Sequence, residues 1–205
     1  MIVIIDYDTG NIGSIHNMLK RCGIASLISQ HPDEILKADK LILPGVGSFD
    51  AGIKKLQERN LIPLLQKKVC DETTPILGIC LGMQLMCASS EEGTLSGLNW
   101  LTDAKVKKFH FPDKNIKVPH MGWNYVQIKN NASLFRSFHS SPPRFYFVHS
   151  YYVDCKNDSY IAAQTTYGGF SFTSAFQKEH IFGVQFHPEK SHVFGMEILK
   201  NFASL

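Results

Sequence analysis

A cysteine between two glycines carries the clearest chemical signal in the sequence. The segment Gly78-Ile79-Cys80-Leu81-Gly82 follows an apolar run and precedes an amphipathic one. A nucleophile in a tight strand-to-helix turn needs small neighbours, because larger side chains would clash there. The start of the following helix favours negative charge on the sulfur. The pattern predicts that Cys80 is a nucleophile, and the alternative is a buried structural cysteine.

A thiol nucleophile needs a base, and the base needs a group that orients it. The tripeptide His187-Pro188-Glu189 follows another apolar run, Ile181–Phe186. Residues two apart on an extended backbone project to the same side, so Glu189 can accept from one ring nitrogen of His187. The other nitrogen is then free to face Cys80, and Pro188 stiffens the backbone between the two residues. A Cys80, His187 and Glu189 triad assembled in space is therefore predicted.

A glycine-rich segment, Pro44-Gly45-Val46-Gly47, also follows an apolar run. Its glycines let backbone N–H groups turn toward a developing oxyanion, and the N–H after the nucleophile is the second donor. The alternative is an ordinary turn between a strand and a helix. The segment lacks the Gly-Lys-Ser/Thr ending of a phosphate-binding P-loop.

Composition narrows the class of protein. The 205 residues are 44% hydrophobic and 19% charged, and we expect them to form one domain over residues 1–205. A net charge of +3 is too weak to predict nucleic acid or an anionic membrane as a partner. No apolar run approaches the ~20 residues of a membrane span, and Met1–Asp6 does not resemble a signal peptide. The five cysteines are odd in number and lack CxxC spacing, and the histidines lack metal-ligand spacing. We expect a cytoplasmic protein without a metal or another cofactor.

Alternating strand and helix patterns in the first half predict a doubly wound sheet. The predicted strands are Ile2–Asp6, Ala25–Ser29, Lys40–Leu43 (halted by Pro44-Gly45) and Pro75–Ile79, and the predicted helices are Asn11–Arg21, Ala51–Leu56, Leu61–Val69 and Leu81–Ser89. All three chemical segments then follow strands, at one edge of the sheet.

The second half is mainly β-like. Its predicted strands are Val118–Val126, Arg144–Val153, Tyr160–Thr166, Thr173–Gln177 and Ile181–Phe186, its predicted turns include Asn130-Asn131 and Gly168-Gly169, and its predicted helix is Val193–Phe202. The predicted fold class is α/β, with a mixed, mostly parallel sheet, helices on both faces and added antiparallel strands.

Taken together, the three chemical segments resemble the class I, or triad, glutamine amidotransferases. Four further stretches resemble one branch of that family, the glutaminase subunits of imidazole glycerol phosphate synthases. They are Asp6-Tyr7 through Gly10-Asn11, Pro119 through Asn124, Tyr146 through Tyr151, and Lys190 after the triad glutamate.

The resemblance implies a reaction. Cys80 would attack the side-chain amide of glutamine, His187 would protonate the leaving ammonia, and water activated by His187 would release glutamate from a thioester. Glu189 would orient His187. The backbone N–H groups of Val46 and Leu81 would be the oxyanion donors, with a peptide flip as one way to aim them. The residues that match glutamine-binding positions are Gly47, Gln84, Glu92, Ser150 and Tyr151, and Glu92 would face the ammonium.

The resemblance also implies a partner in a heterodimer. In the family, a β/α barrel cyclase docks over the site and receives the ammonia. It makes imidazole glycerol phosphate and an aminoimidazole carboxamide ribotide in histidine biosynthesis. The residues that match the docking face are Asn11, Trp123, Tyr146 and Lys190.

One departure leaves the partner open. The family usually has glycine where this chain has Asp8, which adds a charge near the expected docking face. One alternative is a related subunit that supplies ammonia for amidation of a surface sugar. Another is a stand-alone γ-glutamyl hydrolase, although such an enzyme would not need residues for docking a partner. The last is a catalytically silent binding module, and the presence of all three triad residues argues against it.

Overall fold

A computed structural model describes residues 1–129, 132–139 and 142–205, so the turn predicted at Asn130-Asn131 lies outside the described residues. The strands are β1 Ile2–Ile5, β2 Ser26–Ser29, β3 Lys40–Gly45, β4 Ile76–Cys80, β5 Cys87–Ser90, β6 Leu101–Lys108, β7 His120–Tyr125, β8 Gln127–Ile128, β9 Arg144–His149, β10 Tyr151–Cys155, β11 Ile161–Tyr167, β12 Phe170–Lys178 and β13 Ile181–Val184. The α-helices are α1 Ile12–Arg21, α2 Pro32–Leu36, α3 Phe49–Glu58, α4 Leu61–Gln66, α5 Leu81–Leu85 and α6 His192–Ala203. A π-helical segment, Lys67–Asp71, continues α4, and Pro188–Lys190 forms a 3₁₀ turn.

The main sheet has the strand order β2-β1-β3-β4-β13-β12-β10-β6-β5. From β2 to β13 every neighbouring pair is parallel, whereas the β13–β12, β12–β10 and β10–β6 pairs are antiparallel. Strand β4 lies between β3 and β13, so the carboxyl ends of these three parallel strands meet. The predicted α/β class with a mostly parallel sheet is confirmed.

Alternate residues of β1 face two different layers of the core. Val3 and Ile5 join the layer that contains the apolar side chains of α3 and α4, whereas Ile2 and Ile4 join the layer that contains those of α1 and α6. All four are buried. Because both faces of this parallel sheet are covered, its strands are continuously apolar rather than alternating.

The prediction that Pro44-Gly45 halts the third strand is wrong. Strand β3 continues to Gly45, with Pro44 paired to Ile79 and Gly45 paired to Cys80. On its other side, β3 pairs with β1 only as far as Ile42. The N–H that Pro44 lacks is therefore not needed by a second neighbouring strand.

The predicted helix over Leu81–Ser89 is also wrong beyond Leu85. Residues Cys87–Ser90 form β5, which pairs in parallel with β6. The backbone N–H of Leu98 donates to the Leu85 carbonyl, so a later segment occupies an acceptor that a longer helix would use. Cys87, within the predicted helix, is buried in the core but lies in a strand.

Two further differences concern strands and a short helix elsewhere in the chain. The run Arg144–Val153 forms two strands, since β9 pairs with β7 in a separate sheet while β10 pairs with β6 and β12. Strand β6 and the short helix α2 were not predicted. Neither has a long apolar pattern of its own, and their positions depend on long-range pairing and packing.

Candidate active site

Cys80 ends β4 in a strained turn. Its φ of 53° and ψ of −109° lie in a region that non-glycine residues rarely adopt. A Cβ on Gly78 would come 2.7 Å from the Met83 nitrogen, and a Cβ on Gly82 would come 1.8 Å from the Leu43 carbonyl oxygen. Both flanking glycines are therefore required by close backbone approach, as the nucleophile turn predicts.

His187 and Glu189 form a buried pair. His187 Nδ1 lies 2.8 Å from Glu189 Oε1, and the side chain of Glu189 is only 1% exposed. A carboxylate can only accept a hydrogen bond, so Nδ1 carries a proton. Nε2 is therefore the nitrogen that can exchange a proton with a bound substrate. That Nε2 is buried and makes no hydrogen bond of good geometry with a described residue. An unpaired buried nitrogen of this kind is typical of a functional site.

The charge of His187 is set by opposing effects. Burial lowers the pKa of its imidazole, but the nearby sulfur of Cys80 and the hydrogen-bonded carboxylate of Glu189 outweigh burial and raise that pKa above its ordinary value. The protonated ring is therefore favoured beside the sulfur, which suits a group that must give a proton to a leaving amine.

The Pro44–Gly47 turn lies directly beside the cysteine. Gly45 pairs with Cys80, Gly47 has a φ of 101°, and Leu81 follows Cys80 in the chain. The N–H of Val46 does not point to open space, because it donates to Thr9 Oγ1 at 3.2 Å. The same hydroxyl donates to the Val46 carbonyl at 2.6 Å. The turn is thus held by Thr9 in this structure.

Tyr7 supports the turn, a role that its position between Asp6 and Asp8 did not signal. Its hydroxyl donates to the Pro44 carbonyl at 2.5 Å. Burial, with a smaller effect of Cys80, raises the pKa of Tyr7 far above its ordinary value, so the phenol stays protonated and remains a donor. A Cβ on Gly45 would lie 2.6 Å from this hydroxyl oxygen, which explains the glycine.

A cavity of about 340 Å³ opens beside the cysteine. It is within the size range of small-molecule sites. The side chains and backbone that line it are those of Val46, Gly47, Cys80, Leu81, Gln84, Glu92, Pro119, Val148, His149, Ser150, Tyr151 and His187. The structure therefore brings every predicted oxyanion and glutamine-binding residue to one cavity with Cys80 and His187. One Glu92 oxygen accepts from the Phe49 N–H at 2.8 Å, which fixes this carboxylate at the cavity wall.

His149 lines the cavity and is a residue that sequence reasoning did not assign to the site. Its Nδ1 lies 2.7 Å from the Tyr151 carbonyl, and its Nε2 lies 3.0 Å from Nδ1 of buried His120. Burial lowers the pKa of His149 to about 3 and that of His120 to about 4. Both rings are therefore neutral. No local sequence pattern could predict this position of His149, because the two histidines meet only when β7 pairs with β9.

Strand β7 has two chemically different faces. His120 and Asn124 point inward, and Asn124 Nδ2 lies 3.2 Å from His120 Nε2. Met121, Trp123 and Tyr125 point outward and are 62%, 42% and 60% exposed. Three large exposed side chains in a row form an apolar stripe of the kind found at protein interfaces.

The other predicted docking residues surround Trp123 or the turn. The ring centroids of Trp123 and Tyr146 are 6.4 Å apart, and Lys190 Nζ lies 5.6 Å from the Tyr146 ring centroid. Asn11 is exposed at the start of α1, next to Gly10, which packs against Pro44 and Gly45.

Asp8 has a local partner. Its carboxylate pairs with Arg59, and its carbonyl accepts from Lys55 Nζ at 2.5 Å. Its φ of 60° is in the left-handed region, where glycine is the usual residue. The charge that Asp8 adds is therefore offset within the chain.

Two other features bear on the kind of site. Across residues 1–129, 132–139 and 142–205, no group of three or more His, Cys, Asp or Glu side chains is arranged to hold a metal ion. In the same part of the chain, no helix has the length and apolar character needed to cross a membrane.

Comparison with known proteins places this site in a family. The family described as glutamine amidotransferase class-I matches residues 3–204. A relative named imidazole glycerol phosphate synthase subunit HisH 2, from Methanococcus maripaludis, is 55% identical over 98% of this chain and 98% of its own length. Relatives from Leptospira interrogans (subunit HisH) and Pseudomonas aeruginosa (subunit HisH 2) are 46% and 45% identical over the whole of both chains.

Solved structures agree on the fold. A crystal structure of a glutamine amidotransferase is 16% identical, with a TM-score of 0.75 and all of both chains covered. A chain in the structure of PurLQS from Thermotoga maritima is 15% identical, with a TM-score of 0.68 over 99% of this chain and 97% of that chain.

Proposed function

Since the chain belongs to the class I glutamine amidotransferases, we propose that it is the glutaminase subunit of an imidazole glycerol phosphate synthase. It hydrolyses glutamine to glutamate and ammonia through Cys80, His187 and Glu189. The observation that supports this most directly is the orientation of His187. Its Nδ1 is bonded to Glu189, its Nε2 is buried and has no hydrogen-bond partner among the described residues, and His187 lines the same cavity as Cys80.

The first half of the reaction makes a thioester. The charged sulfur of Cys80 attacks the side-chain amide carbon of glutamine, and the carbonyl oxygen becomes an oxyanion. The N–H groups of Leu81 and, after the turn changes, Val46 donate to that oxyanion. His187 Nε2 gives its proton to the leaving nitrogen, the C–N bond breaks, and ammonia departs.

The second half releases glutamate. Neutral His187 takes a proton from water as the oxygen attacks the thioester carbon, and the C–S bond then breaks. The sulfur and the protonated ring are regenerated, so the net reaction consumes one water. Glu189 keeps the ring oriented and stabilises its positive charge throughout.

Glutamine is held by the polar wall of the cavity. Glu92 faces its ammonium, and Gly47, Gln84, Ser150 and Tyr151 contact the amino-acid end. Two hydrogen bonds within this wall are already made, from the Phe49 N–H to Glu92 and from Gln84 to the Tyr151 carbonyl. The wall is therefore arranged before substrate arrives, which reduces the cost of ordering it.

The ammonia passes to a β/α barrel cyclase of histidine biosynthesis, which docks in a heterodimer on the face that contains Trp123, Tyr146, Lys190 and Asn11. The exposed apolar stripe on β7 supports a docking surface of this kind. The names of the 45–55% identical relatives support the pathway.

Glutamate release by the purified chain, alone and with the barrel cyclase of the same genome, tests this function. We expect slow hydrolysis alone and faster hydrolysis with the cyclase and its nucleotide ligand, because the resting turn does not present Val46. Loss of activity on Cys80→Ala is the control. A chain that is fully active alone and unchanged by the cyclase would instead be a stand-alone hydrolase.

A second candidate partner is a related barrel protein of surface-sugar amidation. The observation that keeps it open is Asp8, an exposed carboxylate near the expected docking face, at a position where the family resemblance implies glycine. Activation by that protein, and not by the histidine-pathway cyclase, would select this alternative.

A further inference from the structure

A chain of buried hydrogen bonds begins at a backbone carbonyl and ends at the sulfur of Cys80. Gln84 Nε2 donates to the Tyr151 carbonyl at 3.1 Å and to Gln185 Oε1 at 2.9 Å. Gln185 Nε2 donates to Cys80 Sγ at 3.7 Å. Gln185 follows β13, between that strand and His187, and is fully buried.

The direction of every bond in this chain follows from the first one. A backbone carbonyl only accepts, so the Gln84 atom that faces Tyr151 must be the amide nitrogen. That nitrogen also faces Gln185, which must therefore present its oxygen to Gln84. The remaining end of the Gln185 amide, its N–H group, is left facing Cys80.

The Tyr151 carbonyl is fixed from its other side as well. His149 donates its Nδ1–H to it at 2.7 Å, so His149 Nε2 is an acceptor and receives the Nδ1–H of His120. His120 Nε2 in turn accepts from Asn124 Nδ2. The His149 ring thus occupies the other side of the Tyr151 carbonyl and helps to keep this acceptor in place for Gln84.

Gln185 does not line the cavity, so it is not placed to bind glutamine. Among the described residues, its side-chain amide bonds Gln84 on one side and Cys80 on the other. We propose that Gln185 is a further residue of the reaction, which donates an N–H to the sulfur of Cys80 and favours its charged, correctly placed form. This inference rests on the proposed function, in which Cys80 is the nucleophile.

The test compares Gln185→Met with the wild-type chain. Methionine keeps the length of the side chain but removes the donor. Alkylation by iodoacetamide is followed at each cysteine by mass spectrometry from pH 5 to 10. We expect the Cys80 profile to shift upward by about one pH unit, with alkylation slowed by up to about tenfold at pH values below its midpoint, as for the loss of one hydrogen bond to a charged group. Exposed Cys70, in the same molecules, is an internal reference.

The matched control is Gln177→Met. Gln177 is on neighbouring β12, and its amide bonds Ser133 instead of Cys80. We expect its Cys80 profile to coincide with that of the wild type. An unshifted profile in folded Gln185→Met, with rapid Cys80 alkylation in the wild type, would overturn the role of Gln185 alone. Slow, unselective alkylation of wild-type Cys80 would overturn the proposed nucleophile instead.

A second measurement needs no change at Gln185. In ¹⁵N-labelled protein, the side-chain amide signals of Gln185 should move on Cys80→Ala, while those of Gln177 stay in place. Gln185 signals that do not respond to removal of the sulfur would contradict the bond.

Discussion

Thr9 holds both polar backbone groups of Val46. Its hydroxyl donates to the Val46 carbonyl at 2.6 Å and accepts the Val46 N–H at 3.2 Å. Val46 is half exposed, so little packing opposes a change in this peptide. The N–H that the proposed mechanism assigns to the oxyanion is thus bonded to one hydroxyl group in this structure.

Removing that hydroxyl should raise the activity of the isolated chain. One oxyanion donor is typically worth ~10²–10³ in turnover, and we expect Thr9→Val to recover about tenfold in glutamate release without a partner. Thr9→Ser keeps the hydroxyl and should stay at the wild-type rate. Equal or lower activity in Thr9→Val would show that Thr9 does not restrain the turn.

Cys80 should be the one cysteine that a glutamine-analogue alkylator labels. Burial raises the pKa of each of the other four thiols, Cys22, Cys70, Cys87 and Cys155, so each is mostly a protonated, weakly reactive thiol at pH 7. Cys80→Ala should abolish glutamate release and leave the thermal unfolding transition cooperative. Adducts spread over several cysteines would refute the assignment.

His187 should matter at least as much as Glu189. His187→Ala removes the proton carrier, whereas Glu189→Gln keeps an oriented ring with a weaker partner. Because Glu189 raises the pKa of His187, its neutralisation should move the His187-dependent limb of the pH–rate profile to lower pH. An inactive Glu189→Gln beside a largely active His187→Ala would reverse the two roles.

Acid should destabilise the fold through its buried neutral histidines. In the unfolded chain, His149 and His120 take up protons below about pH 6.5. In the folded chain their pKa values are about 3 and about 4. Their contribution to stability is therefore present above pH 6.5 and is lost as the pH falls toward 4. His187 acts oppositely, since its raised pKa makes its contribution disappear only as the pH rises.

Urea unfolding at pH 7.5 and pH 5 measures this loss. Each histidine should cost roughly 1–2 kcal/mol over that interval. His120→Asn should lower the free energy of unfolding at pH 7.5 but reduce its further fall at pH 5. A pH dependence as steep as that of the wild type would show that His120 is not the group responsible.

Trp123→Ala should weaken cyclase binding without disturbing the fold. Large aromatic residues at the centre of an interface typically contribute about 2 kcal/mol or more, so we expect at least about a tenfold higher Kd by titration calorimetry. The control is Leu36→Ala, at the end of α2, where another exposed apolar side chain is lost. Equal effects of the two variants would remove Trp123 from the docking face.

The local parts of the site could be predicted from the sequence because their signals are local. The glycines around Cys80 and the spacing of His187 and Glu189 report short-range geometry, and both follow apolar strands. The boundary of α5 could not be predicted, because Leu98 takes the Leu85 carbonyl from far along the chain. The positions of Gln185 and His149 could not be predicted for the same reason. Gln185 acquires its role only when the fold places Gln84 and Cys80 on either side of it. His149 meets His120 only when β9 pairs with β7.

The pleat of β7 separates the exposed apolar stripe from the residues that face the cavity wall. Odd-numbered positions Met121, Trp123 and Tyr125 face outward, whereas even-numbered His120 and Asn124 bond each other, and His120 bonds His149 at the cavity wall. Under the proposed function, substitutions at the odd positions would therefore change the docking face while the glutamine pocket stays intact. Under that function, alternate residues of a single six-residue strand would serve the partner on one face and support the chemistry on the other.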